Sequence, residues 1–219
     1  GWQRSGKIED WSELMHVQSY NSKIKVLQTS GSLLWTKSKS SVDQIQSIKS
    51  DLEEHAIDLC IGSGTQKKCC WHPPTLWIGV GCEKGTSFSL LERAILESLD
   101  KANLAKGAVA GLASIDLKIN EKCLTELSNL CDWPIRFYDA KELAEIIVPN
   151  PSDVVKDEIG CASVAESASI LAAGLEGKLC QEKKIFHSIN NEIGAVTVAI
   201  SEGKKPFAPM KGELHLVGI

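Results

Sequence analysis

Between residues 75 and 202, short apolar runs alternate with apolar stripes at helical spacing. Leu76–Cys82 (LWIGVGC) predicts a buried strand that breaks into glycines. Phe88, Leu91, Ile95, Leu99 and Ala102 then mark one face of a helix, with Ser89 and Glu92 at capping-box spacing. Ala108–Leu117 (AVAGLASIDL) predicts a second strand, interrupted by Gly111, and Asn120 caps a helix carrying Leu124, Leu127 and Leu130. Pro134–Tyr138 predicts a third, short strand, and Asp139 with Glu142 opens another helix. Ser152 caps a helical turn through Val155 and Ile159. Ser163 and Glu166 form a further capping box ahead of Ala165, Ala168, Leu171 and Ala172, and Gly174 stops that helix. Two last strands, Lys183–Ile189 and Ala195–Ile200, flank Asn190, Asn191 and Glu192, a natural hairpin connection. Alternating strands and helices followed by a hairpin predict a three-layer α/β/α domain with a mixed sheet.

The pattern before residue 75 is less regular. Lys23–Thr29 (KIKVLQT) predicts a strand, residues 42–55 a polar helix and Ile57–Ile61 another short strand. The polar run Gly62–Lys68 and the sequence His72, Pro73, Pro74 predict a linker, because paired prolines continue neither a helix nor a central strand. Residues 1–74 are thus expected to be a remnant of a second, smaller α/β domain plus linker. Residues 75–202 form the main domain, and 203–219 a linker with a truncated first strand of a further domain.

Composition adds exclusions. The 219 residues carry a formal net charge of −4 with both signs interspersed, so nothing suggests a nucleic-acid partner. No apolar run approaches a membrane span and the N-terminus lacks signal-peptide architecture, which predicts a cytoplasmic protein without a membrane partner. The eight cysteines are expected to be reduced. Cys69, Cys70 and His72 form the one metal-like cluster, but they lack paired C-x-x-C spacing, and a polar loop is the competing reading.

Four blocks, GVGCEKGTS (79–87), GLASIDLKINE (111–121), SVAESASILAAG (163–174) and AVTVAIS (195–201), occur in the order seen in the C-terminal domain of CbiG, a domain shared with CobE. The resemblance covers about residues 75–202. Residues 212–219 resemble the first strand of the tetrapyrrole methyltransferases, so the chain looks like the hydrolase part of a fusion with precorrin-3B C17-methyltransferase. The resemblance implies cobalamin biosynthesis. The CbiG family opens the δ-lactone of cobalt-precorrin-5A and releases acetaldehyde, giving cobalt-precorrin-5B. The implied partners are that corrinoid and a fused or neighbouring precorrin methyltransferase. Cobalt, where present, belongs to the substrate, and no protein cofactor or metal is expected. A non-catalytic module that holds or passes corrinoids is the alternative reading, since CobE lacks the N-terminal part of CbiG.

Such a substrate is a macrocycle fringed with carboxylates. Gly81, Cys82, Lys84, Gly85, Thr86 and Ser87 sit where a strand yields to a helix N-terminus, which suits a carboxylate. Glu83 stands where relatives commonly carry basic residues, leaving Lys84 as the loop's cation. Cys82 reads either as a nucleophile or as an inert packing residue. Ser114, Asp116 and Lys118 lie two apart and share one face if the strand is regular, with Asp116 a general base and Lys118 its carboxylate or oxyanion partner. A solvated strand end is the competing reading. Ser163 and Glu166 are either a cap or, for Glu166, a catalytic carboxylate facing the pocket. Lys183 is expected to line the same edge, and His187 to be structural.

Overall fold

The chain was analysed as a computed structural model that describes residues 2–19, 24–30, 45–48, 59–65, 69–174 and 176–208. These residues divide into two compact units. The first holds the described residues as far as Thr75 together with 103–108 and 204–207, and the second holds 76–102, 109–203 and 208.

In the first unit, aromatic burial organises a small sheet. Its elements are β1 (Gln3–Ser5), α1 (Ile8–Ser19), β2 (Ile24–Gln28), β3 (Ile45–Ile48), β4 (Leu59–Ile61) and β5 (Cys70–His72). The strand order is β1-β5-β4-β2-β3, parallel throughout except for β1 against β5. Leu14, Ile24, Val26, Ile61 and Cys69 form the core, and Trp2, Trp11, Leu59 and Trp71 pack against it. Trp11 and Trp71 meet edge to face, with ring centroids 6.0 Å apart, a preferred geometry for aromatic quadrupoles.

This unit departs from the sequence expectation in two places. Residues 45–48 are a strand inside the expected 42–55 helix, the rest of which lies outside the described residues. The expected linker contains β5, where Cys70 and His72 face inwards and Trp71 is half-buried. The expected strand at 212–219 lies outside the described residues.

The second unit follows the apolar pattern closely. It runs β6 (Leu76–Cys82), α2 (Phe88–Lys101), β7 (Val109–Ile115), α3 (Lys122–Cys131), β8 (Ile135–Tyr138), α4 (Ala140–Ala144), α5 (Asp153–Ile159), α6 (Val164–Ala173), β9 (Lys178–His187) and β10 (Ala195–Glu202). The sheet order is β8-β7-β6-β10-β9. Strands β6, β7 and β8 are parallel, and β10 runs antiparallel to both its neighbours.

Side chains alternate across β6, so its odd and even positions bury opposite faces. The odd positions Gly79 and Gly81 meet α6, while the even positions Leu76, Ile78 and Val80 are fully buried on the other face. Helix α2 turns Leu90, Leu91, Ala94, Ile95, Ser98 and Leu99 inwards and packs on β9, β10 and α3. The result is a mixed sheet between two helical layers. On the α6 side, the Arg136 guanidinium lies 4.0 Å from the Trp77 ring centroid and donates to the Ala172 carbonyl at 3.0 Å, closing the end of α6 over the sheet.

Three caps follow local chemistry, whereas Asn120 does not cap α3, whose N-cap position is Glu121 with no side-chain cap. Asp139 makes a complete capping box with Glu142, and Ser152 and Ser163 accept from Val155 N and Glu166 N. Helix α2 starts two residues earlier than Ser89 implied, with Ser87 at the N-cap position but making no side-chain cap. Among the described residues no helix is long and apolar enough to cross a membrane.

Candidate functional site

Three parallel strands deliver their carboxyl ends to one edge of the second sheet, the usual place for a ligand in an open α/β fold. There the loop after β6, the turn after β7 and the connection between β9 and β10 come together. Glu83 N donates to Ala195 O at 3.1 Å and Ser87 N to Ile193 O at 3.0 Å. Ile193 N returns a bond to Ser87 Oγ at 3.1 Å. Thr86, buried, donates its hydroxyl to Glu83 O at 2.8 Å and so folds the loop on itself. Gly85 has a φ of +74°, a left-handed conformation that disfavours any side chain. Its N–H donates to Glu121 Oε1 at 2.7 Å. The loop therefore already accommodates a carboxylate oxygen, supplied by the chain itself.

The expected row of Ser114, Asp116 and Lys118 does not form. Strand β7 ends at Ile115, and Asp116–Lys118 is a 3-10 turn, which breaks the two-residue alternation. Ser114 is fully buried and donates to Val80 O at 2.8 Å, which closes it off from a ligand. Asp116 is exposed at the sheet edge. Lys118 is half-buried, with its Nζ 4.0 Å from Glu121 Oε2. Leu117 and Ile119 on the same turn, and Ile193 across the edge, are exposed apolar side chains.

Cys82, at the end of β6, is hydrogen-bonded to Cys123 at the start of α3. That bond, together with burial, pushes the Cys82 thiol well above the ordinary cysteine range, and the same bond lowers Cys123. Cys82 holds its proton, so it reads as a packing thiol and not as a nucleophile.

Glu166 has a different role from a solvated base. It is fully buried at the N-terminus of α6. Its Oε1 accepts from Asn150 Nδ2 at 2.9 Å and from Lys183 N at 3.0 Å, and its Oε2 accepts from Asn150 N at 3.3 Å. The Lys183 amide is available because the β9–β10 register shifts between Val198 and Ile200, a bulge that takes it out of the ladder. Lys183 thus contributes its backbone here. Ser163 is buried as the cap. The structure gathers Gly81, Cys82, Lys84, Gly85, Thr86, Ser87, Asp116 and Lys118 at one edge. Ser114 and Glu166 are turned into the interior.

Sequence reading missed Glu121, Asn150, Arg93 and Glu192, whose partners are distant in sequence. Arg93 on α2 clamps the β9–β10 connection. Its Nε and one terminal nitrogen donate to Glu192 at 2.9 and 2.6 Å, and the latter nitrogen also donates to His187 O at 2.9 Å. Glu192 additionally accepts from Ile189 N at 3.0 Å. The guanidinium holds the Glu192 carboxyl below its ordinary value. A depressed folded-state value stabilises the clamp above the unfolded carboxylate range, and that contribution is lost as pH falls through the folded value. Protection of the Ile189 amide, measured against the unstructured exchange rate at the same pH, should therefore hold at neutral pH and fall only below the ordinary glutamate range of about pH 4. Equal protection at all acid pH values would contradict the clamp.

Among the described residues no group of three or more His, Cys, Asp or Glu is placed to hold a metal ion. Both ring nitrogens of His72 are hydrogen-bonded, to Ser5 Oγ and to the Gly62 carbonyl, which leaves neither for a metal.

The family comparison falls on the second unit. The sequence model of the family described as "Cobalamin synthesis G C-terminus" matches residues 76–201. A cobalt-precorrin-5A hydrolase of Priestia megaterium is 29% identical over 131 residues, 60% of this chain and 33% of the relative. Protein CobE of a Sinorhizobium species is 35% identical over 49% of this chain and 71% of its own length. The crystal structure of CobE, a protein from the cobalamin biosynthetic pathway, superposes with a TM-score of 0.51 at 28% identity, covering 58% of this chain and 89% of that one. The chain spans about a third of the length of the hydrolase it matches.

Proposed function

Since the chain belongs to the family of cobalamin synthesis G C-terminal domains, we propose that it acts in corrin-ring assembly by hydrolysing the δ-lactone of cobalt-precorrin-5A. Water adds to the lactone carbonyl and the ring C–O bond breaks, giving a carboxylate and an alcohol. The alkoxide of that alcohol then closes to a carbonyl as the C–C bond to the macrocycle breaks. The ring carbon keeps the bonding pair and takes a proton, and acetaldehyde leaves with cobalt-precorrin-5B as the other product. The observation that carries this reading is the sheet edge, where an uncapped helix N-terminus and the Lys84 and Lys118 cations lie beside exposed Leu117, Ile119 and Ile193.

A macrocycle rimmed with carboxylates needs both features, apolar contact for the ring and donors for the acid groups. Lys84 and Lys118 bind peripheral carboxylates, and one of those carboxylates takes the Gly85 N–H from Glu121. Asp116, exposed at the same edge, is the general base for water, and Lys118 stabilises the oxyanion that develops on the lactone carbonyl.

A second reading is a corrinoid carrier that passes its ligand to a precorrin methyltransferase. It is favoured by coverage, since the chain spans far more of CobE than of the hydrolase. Incubation with cobalt-precorrin-5A, with acetaldehyde as the readout and a full-length cobalt-precorrin-5A hydrolase as control, separates the two. Acetaldehyde release that is lost in Asp116→Asn supports hydrolysis. Tight binding without acetaldehyde supports carriage, and no binding at all rejects both. Lys84→Ala and Lys118→Ala should each weaken corrinoid binding about tenfold, the scale of one charge-assisted hydrogen bond.

A further inference from the structure

The first unit carries a nucleophile–base pair that the corrinoid reading does not use. Strands β1 and β5 pair antiparallel, with Ser5 opposite Cys70 and Gln3 opposite His72. This register sets Ser5 diagonally across from His72, and Ser5 Oγ lies 2.7 Å from His72 Nε2. The other ring nitrogen, Nδ1, lies 2.7 Å from the Gly62 carbonyl oxygen. A carbonyl can only accept, so Nδ1 carries the proton. In the neutral ring Nε2 is then the acceptor, and the Ser5 hydroxyl donates to it. His72 is 1% exposed and held from both sides, whereas Ser5 is exposed. Both line a cavity of about 470 Å³ with Arg4, Thr65, Lys106 and Gly107. A hydroxyl facing solvent, a base fixed in the tautomer that takes its proton, and a third group orienting the base are the parts of an acyl-transfer site.

The geometry points to Ser5 and His72 as an acyl-transfer pair for a small carboxylic ester or lactone bearing an acid group. Arg4 and Lys106 on the cavity wall set the preference for negative charge. Ser5 Oγ attacks the ester carbonyl carbon and forms the new C–O bond as its proton moves to His72 Nε2. The carbonyl π pair moves to oxygen and then returns, expelling the alcohol oxygen, which takes the proton back from His72. Water, deprotonated by the same nitrogen, releases the acid from Ser5. The orienting group is a carbonyl and not a carboxylate, so it fixes the tautomer while giving the imidazolium less support.

This proposal does not depend on corrinoid chemistry. The full chain incubated with a fluorophosphonate probe should form an Oγ–P bond at Ser5 with loss of fluoride, the proton passing to His72. Peptide mass mapping should find that adduct roughly tenfold faster than at any other serine. In a Ser5→Cys variant, a thiol hydrogen-bonded to His72 should react with iodoacetamide roughly tenfold faster than free cysteine at neutral pH. Adducts no faster at Ser5 than at other exposed serines would overturn the proposal, as would a Ser5→Cys thiol no more reactive than free cysteine.

Discussion

Replacing Gly79 by alanine should lower the stability of the second unit by about 3 kcal/mol, near the top of the overpacking range. A Cβ built on Gly79 overlaps the Ala165 carbonyl oxygen and comes within 2.9 Å of both the Ala165 carbonyl carbon and Ser169 Cβ. Two of those three obstacles are the backbone of α6, which cannot rotate out of the way. The helix must lift from β6, and it also covers β7 and β10. Lifting α6 breaks the hydroxyl chain in which Ser201 and Ser169 meet at 2.8 Å and Ser169 donates to Glu166 O at 2.9 Å. Calorimetry should record a melting temperature lower by roughly 10 °C. A shift under about 2 °C would mean that helix and strand are not this close.

Glu166→Ala should cost a similar amount for the opposite reason, removal of a buried acceptor. Asn150 N and Lys183 N would lose their partner together, while Asn150 Nδ2 would keep only Glu182 Oε2 at 2.9 Å, and donors left unsatisfied cost about 1–3 kcal/mol each. The urea midpoint should fall and the Lys183 amide should lose exchange protection. Glu166→Gln keeps a carbonyl oxygen for one of these donors and should recover part of the loss. The experiment also separates the two roles open to this residue. A catalytic carboxylate without a structural role would leave the midpoint unchanged and abolish only turnover.

The helices of the second unit were legible because their signals are local. Asp139, Ser152 and Ser163 cap within three residues of themselves, and the α2 stripe is read from its own periodicity. The first unit was harder. Strands of three residues, such as β1 and β5, are too short to show alternation, and their pairing is set by distant segments. The turn at Asp116–Lys118 follows an apolar run that continues to Leu117, so hydrophobicity alone extended the strand past its end.

The candidate site was half legible. Glycines and the helix start marked its loop, while Glu121, which holds that loop from 36 residues away, carries no local signature. Glu166 was visible as a cap, but its ties to Asn150 and Lys183 exist only once α6 and the β9 bulge are in place.

The composition of the first unit bears on how the chain folds as it leaves the ribosome. Thr75 N bonds to Ala108 O at 2.9 Å, Ala105 N to Ser63 O at 2.7 Å and Phe207 N to Pro74 O at 2.8 Å. An N-terminal unit ordinarily folds first during vectorial synthesis, at about 5–20 residues per second. Here the unit that begins first is completed last. Its hydrogen bonds to residues 105–108 wait only for the stretch 76–102 of the second unit, whereas the bond from Phe207 waits until residues 109–203 have been translated as well, so the last contact of the first unit closes only after the second has left the ribosome.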